Sequence, residues 1–100
     1  SASEPQQIRR FGDFEVDTVR RQVRADGKLI SLTPIEFELI SLLTGSPGEV
    51  LSRETIHSKV WGHVSLSKNV LDTHLMNLRK KVPGFAERLT SVYGVGFSFS

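Results

Sequence analysis

Ser67 to Val82 reads SKNVLDTHLMNLRKKV, and the spacing of its apolar residues decides how the rest of the chain has to be organised. Leu71, Leu75, Leu78 and Val82 follow one another at steps of four, three and four. That spacing lines them up on one stripe of a 3.6-residue helix. The opposite side carries Asn69, Thr73, Met76, Asn77 and Lys80, flanked by His74 and Lys81 on one side and by Asp72 and Arg79 on the other. Such a helix can pack its apolar back on a domain and offer a front of amides, hydroxyl and positive charge to a polyanion. The functional expectation is a helix that enters the major groove of DNA. A surface helix with a solvated face would show the same stripe.

Working outward toward the N-terminus, Arg53 to Trp61 forms a second, shorter helical pattern. Ser52 is its cap, Ile56 and Val60 face inward, and Gly62 stops it. The connecting loop runs through His63-Val64-Ser65-Leu66, with Ser65 or Ser67 capping the long helix. Glu49-Val50-Leu51 predicts a short extended crossing. Before it, Thr33-Pro34-Ile35-Glu36 is a helix start, with Thr33 as cap, Pro34 at the first position and Glu36 as the capping-box partner. This helix is expected to reach about Thr44 and to bury Phe37, Ile40 and Leu43, before Gly45-Ser46-Pro47-Gly48 ends it. Phe11 to Leu32 predicts short antiparallel strands. Phe14 and Val16 alternate with acidic residues, Val23 points inward from Arg21–Ala25, and Asp26-Gly27 suits a tight type I′ turn into Lys28–Ser31. Residues 1–10, SASEPQQIRR, contain one large apolar side chain and are expected to be a flexible linker or tag remnant, with the folded domain over 11–100.

Toward the C-terminus, Pro83-Gly84 ends the long helix. Leu89–Val92, Tyr93-Gly94-Val95-Gly96 and Phe97–Phe99 then read as strand, turn and strand. The two glycines allow positive φ, and Phe97 and Phe99 share a core-facing side. The whole is an α+β pattern: a winged helix-turn-helix with an N-terminal antiparallel β-sheet, three α-helices and a C-terminal β-hairpin wing.

The charge balance agrees with a nucleic-acid partner. Residues 1–52 carry six Lys/Arg against eight Asp/Glu, whereas residues 53–100 carry seven against three. The positive excess therefore sits in the half that holds the helix described first, as expected for a domain with one nucleic-acid face. One hundred residues suit a single domain with one modest core. There is no cysteine, which excludes disulfides and thiolate metal sites and fits a reducing cytoplasm. No stretch is apolar for long enough to suggest a membrane span.

The blocks LTPIEFELISLL (32–43), VLSRETIHSKVWG (50–62), LDTHLMNLRKKV (71–82) and SVYGVGFSF (91–99) together resemble the C-terminal effector domain of the OmpR/PhoB family of bacterial response regulators. The resemblance covers about residues 11–99. It implies a four-stranded N-terminal sheet, three helices and a hairpin. It also implies sequence-specific binding of double-stranded DNA, usually by two copies head-to-tail on direct repeats. An N-terminal phosphorylatable receiver domain, absent from this chain, would make the protein part of a two-component phosphorelay. The family's DNA-facing positions fall on Asn69, Thr73, His74, Met76, Asn77 and Lys80. Its phosphate contacts fall on Arg53 and Trp61, and its wing positions on Ser91 and Tyr93. In some members the loop corresponding to 62–67, here about one residue shorter, contacts RNA polymerase.

The sequence departs from the family's usual pattern at three of those positions. Many members carry two arginines where Met76 and Asn77 stand and a wing arginine where Tyr93 stands. Fewer basic residues imply fewer released counterions and a weaker electrostatic contribution to affinity. Asn77 can pair with adenine in bidentate fashion and the Thr73 methyl can pack on a thymine methyl, so an A·T-leaning half-site is expected.

Two rival functions stand beside this one. A metal site built from His57, His63, His74 and Asp72 lacks the i, i+4 histidine pairing of helix-borne zinc ligands. No nucleophile with a positioned base and no phosphate-cradling glycine loop is present, so neither an enzyme nor a bound cofactor is expected. The stronger rival is a winged helix that binds protein instead of DNA, through an apolar patch around Val64, Leu66 and Met76.

Overall fold

The computed structural model describes residues 8–62 and 69–100. The chain begins with β1 (Ile8–Arg10), β2 (Glu15–Asp17), β3 (Gln22–Ala25) and β4 (Lys28–Ile30), joined as a four-stranded antiparallel sheet in sequence order. The turn from β3 to β4 follows from two residues. Asp26 has φ 53° and Gly27 has φ 75°. Two consecutive left-handed residues make a type I′ turn, which brings Ala25 opposite Lys28. Val16 and Val23 face each other across β2 and β3 and are wholly buried, while Glu15 and Arg24 pair on the other face. Each buried valine contributes about 1.5–3 kcal/mol relative to an exposed one.

β1 corrects the expected extent of the N-terminal arm. Ile8, Arg9 and Arg10 pair with Asp17, Val16 and Glu15. The Arg9 guanidinium donates to Ser41 O at 2.8 Å and to Thr44 Oγ1 at 3.1 Å, at the end of helix α1 (Pro34–Thr44). Backbone pairing and one arginine reaching a helix C-terminus order these residues, and neither leaves a mark in hydropathy. Residues 1–7 of the expected arm lie outside the described residues.

Helix α1 starts as its sequence dictates. Thr33 accepts from the Glu36 backbone N–H at 3.2 Å, and the Glu36 carboxylate accepts from the Thr33 N–H at 3.0 Å, which closes the capping box. Phe37, Leu39, Ile40 and Leu43 are buried. β5 (Val50–Ser52) leads straight into α2 (Arg53–Trp61), whose N-cap Ser52 accepts from Thr55 N at 3.0 Å. Gly62 ends α2 at φ 69°. The loop through His63–Leu66 and its capping serine lie outside the described residues.

The long helix α3 runs over Asn69–Lys81. Leu71, Leu75 and Leu78 on its stripe, and Val82 just beyond its end, are all buried. A fourth helix, α4 (Phe85–Arg88), follows in a stretch where sequence periodicity predicted none. Four residues are too few to show a helical repeat. Phe85 anchors the segment by burying its ring 5.6 Å from Phe99 and 6.3 Å from Phe14. β6 (Leu89–Val92) and β7 (Gly96–Phe99) form the C-terminal hairpin, and β5 adds to it, giving a second antiparallel sheet in the order β5-β7-β6. Among the described residues one apolar core joins both sheets and helices α1 to α4. No helix among the described residues is long and apolar enough to cross a membrane.

The two glycines of the wing turn serve different purposes. Gly94 has φ 74° and supplies the left-handed turn residue. Gly96 is not at positive φ, contrary to expectation. A Cβ there would overlap the Leu51 carbonyl and lie 2.8 Å from Ser52 Cα. Close approach of β5 to β7 demands glycine at this point.

Candidate nucleic-acid interface

Helix α3 places its expected contact residues as its stripe requires. With Leu71, Leu75 and Leu78 sealed into the core, Thr73, Met76 and Lys80 are exposed and Asn77 is half-buried. These four positions are spaced i, i+3, i+4 and i+7, and so share one face. Met76 is 47% exposed, an unbranched apolar side chain between two polar ones. Asn69 is the first residue of the helix; its side chain lies outside the described residues.

The last turn of α3 carries Arg79, Lys80 and Lys81, the sign that the helix C-terminus favours. Lys81 turns away from the exposed face. Its Nζ donates to Glu36 Oε1 at 2.8 Å, so of the three cations in this turn Arg79 and Lys80 remain on the outward side. Burial works against the charged form of Glu36. The Lys81 ammonium, the Thr33 N–H and the nearby His74 together outweigh that penalty and hold the carboxyl below its ordinary range.

His74 and Trp61 lie together at the side of this face. The Trp61 ring is half-buried against the core, with its centroid 5.7 Å from His74 and 5.3 Å from His57. This stack fastens the end of α2 to the middle of α3. The His74 Nδ1 is buried without a hydrogen-bond partner among the described residues. Among those residues, no group of three or more His, Asp or Glu side chains is gathered where it could hold a metal ion.

Arg53 stands at the other end of α2. Its Nη2 donates to Asp72 Oδ1 at 3.0 Å, and its guanidinium carbon sits 5.0 Å from the centroid of the Phe97 ring. One side chain thus ties α2, α3 and β7. Arg53 and Glu54 also line an open cleft whose other wall is Ser91, Val92, Tyr93 and Val95 of the wing. Ser91 is exposed, and Tyr93 at the wing tip is fully so. The structure therefore brings Arg53, Ser91 and Tyr93 around one cleft and Thr73, Met76, Asn77 and Lys80 onto one helix face. Trp61 and His74 form a buttress beside that face. The sequence offers Arg53 as a phosphate contact or as the ion-pair partner of a nearby acid, but does not single out the Asp72 and Phe97 that hold it. No local pattern links residues so far apart in the chain. The loop over 62–67, apart from Gly62, lies outside the described residues.

The model of the family described as "Transcriptional regulatory protein, C terminal" matches residues 26–99. The transcriptional regulatory protein ResD of Bacillus subtilis is 35% identical over 94 residues, which cover 89% of this chain and 39% of that protein. The chain thus spans about two-fifths of the length of the curated relatives it matches. Among solved structures, the response regulator DrrB of Thermotoga maritima, an OmpR/PhoB homologue, superposes with a TM-score of 0.84 at 30% identity. The match covers 95% of this chain and 45% of that one. The DNA-binding domain of Bacillus subtilis CssR gives 0.78 at 34% identity, covering 87% of this chain and 99% of that one. On the family match, and on relatives alike in both sequence and fold, the chain belongs to the C-terminal domains of transcriptional regulatory proteins, the output domains of OmpR/PhoB-type response regulators.

Proposed function

We propose that this domain binds double-stranded DNA in a sequence-specific manner, with α3 in the major groove and the β6–β7 wing beside the adjacent minor groove. The observation that carries the reading is the two-sidedness of α3. Its apolar side is sealed in the core, and its other side presents Thr73, Met76, Asn77 and Lys80, while Asp72 in its first turn is tied to Arg53, which lines the wing cleft. An α-helix fits the major groove, and such a face offers one phosphate-seeking cation, one bidentate amide and two groups able to touch methyls. CssR, whose DNA-binding domain is matched over 99% of its length and 87% of this chain, supports the same direction.

In this reading Lys80, Arg53, Trp61, His74 and Ser91 meet the phosphate backbone. Asn69, Thr73, Met76 and Asn77 face base edges, and Tyr93 lies at the minor groove. Asn77 and Thr73 favour an A·T-leaning half-site. Two copies sit head-to-tail on a direct repeat, and a receiver domain in the full-length protein governs their pairing in the cytoplasm.

Selection from a random double-stranded pool, followed by affinity for the winning duplex at two salt concentrations, tests this. A direct repeat bound roughly a thousand-fold tighter than random DNA is the expected result. No enrichment, together with binding that vanishes at moderate salt, would overturn it. The exposed Met76, Tyr93 and Val95 would then be examined as a protein-binding surface.

A further inference from the structure

We propose that Asp72 is a positioning residue for Arg53, holding the guanidinium poised to receive a backbone phosphate of bound DNA. The inference rests on the DNA-binding reading and assigns Asp72 a role within it.

Arg53 carries its charge in an unfavourable place. It is the first residue of α2, and a helix N-terminus favours negative charge. Helix stability therefore does not account for a cation there. Asp72, in the first turn of α3, has the sign its own helix end prefers, and it supplies the missing counter-charge at 3.0 Å. The two side chains are 49% and 50% exposed. A solvated pair of that kind adds little to stability.

What the pair supplies is geometry. Asp72 fixes one edge of the guanidinium and the Phe97 ring supports its face at 5.0 Å. Three elements thus define where the group sits. A guanidinium has five N–H donors in a planar fork, so donation to one carboxylate leaves others for a second anion. Arg53 lines the cleft that runs to Ser91 and the wing turn, and its partner Asp72 belongs to the first turn of α3. A backbone phosphate bridging the major-groove helix and the wing would lie there. An arginine already fixed on two sides loses less freedom when it takes up that phosphate.

The test is a double-mutant cycle on this chain with Arg53→Met, Asp72→Asn and the pair. Affinity for a short mixed-sequence duplex is measured by fluorescence anisotropy across a salt series, with thermal melts of each variant alongside. Arg53→Met should weaken binding and lower the salt slope by about one. Asp72→Asn should weaken binding by about five-fold, although it removes a negative charge from the side that meets DNA. Plain electrostatics predicts the opposite sign. In the Arg53→Met background the loss caused by Asp72→Asn should disappear, and Asp72→Glu should recover part of the wild-type affinity.

Asp72→Asn tightening binding by the same factor in both backgrounds would overturn the proposal and leave Asp72 a merely repulsive charge. A wild-type chain that binds no duplex even at low salt would sink the DNA-binding reading, and this inference with it. Wild-type binding with a normal salt slope but an uncoupled cycle would sink the positioning role alone.

Discussion

Lys81 Nζ lies 2.8 Å from Glu36 Oε1, and this contact joins the first turn of α1 to the last turn of α3. The two partners differ in their access to water. Glu36 is 2% exposed and Lys81 is 39% exposed. Removing either one therefore has unequal consequences. With Glu36→Gln, the ammonium of Lys81 can swing into solvent, and the loss is that of one charge-assisted hydrogen bond, about 1–2 kcal/mol. With Lys81→Met, a buried carboxylate loses its counter-charge, at a cost of about 3 kcal/mol. Urea unfolding at neutral pH should show this order. Equal costs, or the reverse order, would mean that Glu36 is held by the capping box alone.

The same carboxylate, together with Asp17, sets the response to acid. The Arg20 backbone N–H is the largest influence on Asp17. The Arg20 guanidinium and the Val19 N–H act the same way and burial opposes them; the balance holds Asp17 below its ordinary value. Glu36 is likewise depressed, for the reasons given above. Both groups bind fewer protons in the folded chain than in the unfolded one, so their stabilisation is complete above the unfolded carboxyl range of about 4. It is lost as the pH falls through their lower, folded values. The unfolding midpoint should hold steady from neutral pH down to about 5 and then decline. Glu36→Gln should make that decline shallower, and an unchanged slope would remove Glu36 from the acid response.

Much of this architecture is legible in the sequence because it is local. The stripe Leu71, Leu75, Leu78, Val82 lies within twelve consecutive residues. The Thr33–Glu36 capping box, the Ser52 cap and the Asp26-Gly27 turn each span four residues or fewer. The missed features depend on distance or brevity. Strand β1 has three residues and is secured by Arg9 reaching Ser41, 32 positions away. Helix α4 has four residues and is secured by one ring. The family resemblance makes Arg53 an expected phosphate contact. Its Asp72 clasp, 19 positions on, and the Glu36–Lys81 tie, 45 positions apart, emerge only when the helices are packed. The outward positions of α3 were legible for the converse reason, since once the stripe is buried the rest of the helix has only one way to face.

Gly96 offers a test of how the wing is coupled to the helices. It faces Ser52 across β5 and Val92 across β6, and a methyl at its α-carbon would overlap backbone, not a side chain able to move aside. β5 must then separate from β7, carrying the N-cap of α2 with it. Gly96→Ala should destabilise the domain by about 3 kcal/mol. Gly94, with open space around its α-carbon, tests the opposite case. Gly94→Asn keeps a residue that tolerates left-handed φ and should cost under about 1 kcal/mol. Thermal melts of the two variants compare them directly, and similar losses would contradict the assignment of Gly96 to close approach.

Lys80 and Asn77 separate affinity from specificity on the proposed recognition face. Lys80 is an exposed cation in the last turn of α3, suited to a phosphate, and phosphates are the same on every sequence. Lys80→Ala should therefore weaken binding to a selected duplex and to a mixed-sequence duplex by similar factors. It should also lower the salt slope by about one. Asn77 presents an amide on the same face, half-buried and so restricted in direction. Asn77→Ala should cost about 1–3 kcal/mol on the selected site and relax preference at one base pair, while leaving mixed-sequence binding nearly unchanged. Selection repeated with each variant reads both effects at once. If Lys80→Ala altered the selected sequence and Asn77→Ala only weakened binding overall, α3 would lie in the groove turned about its axis from the orientation proposed. If neither substitution altered binding, the face that meets DNA would have to lie elsewhere on the domain.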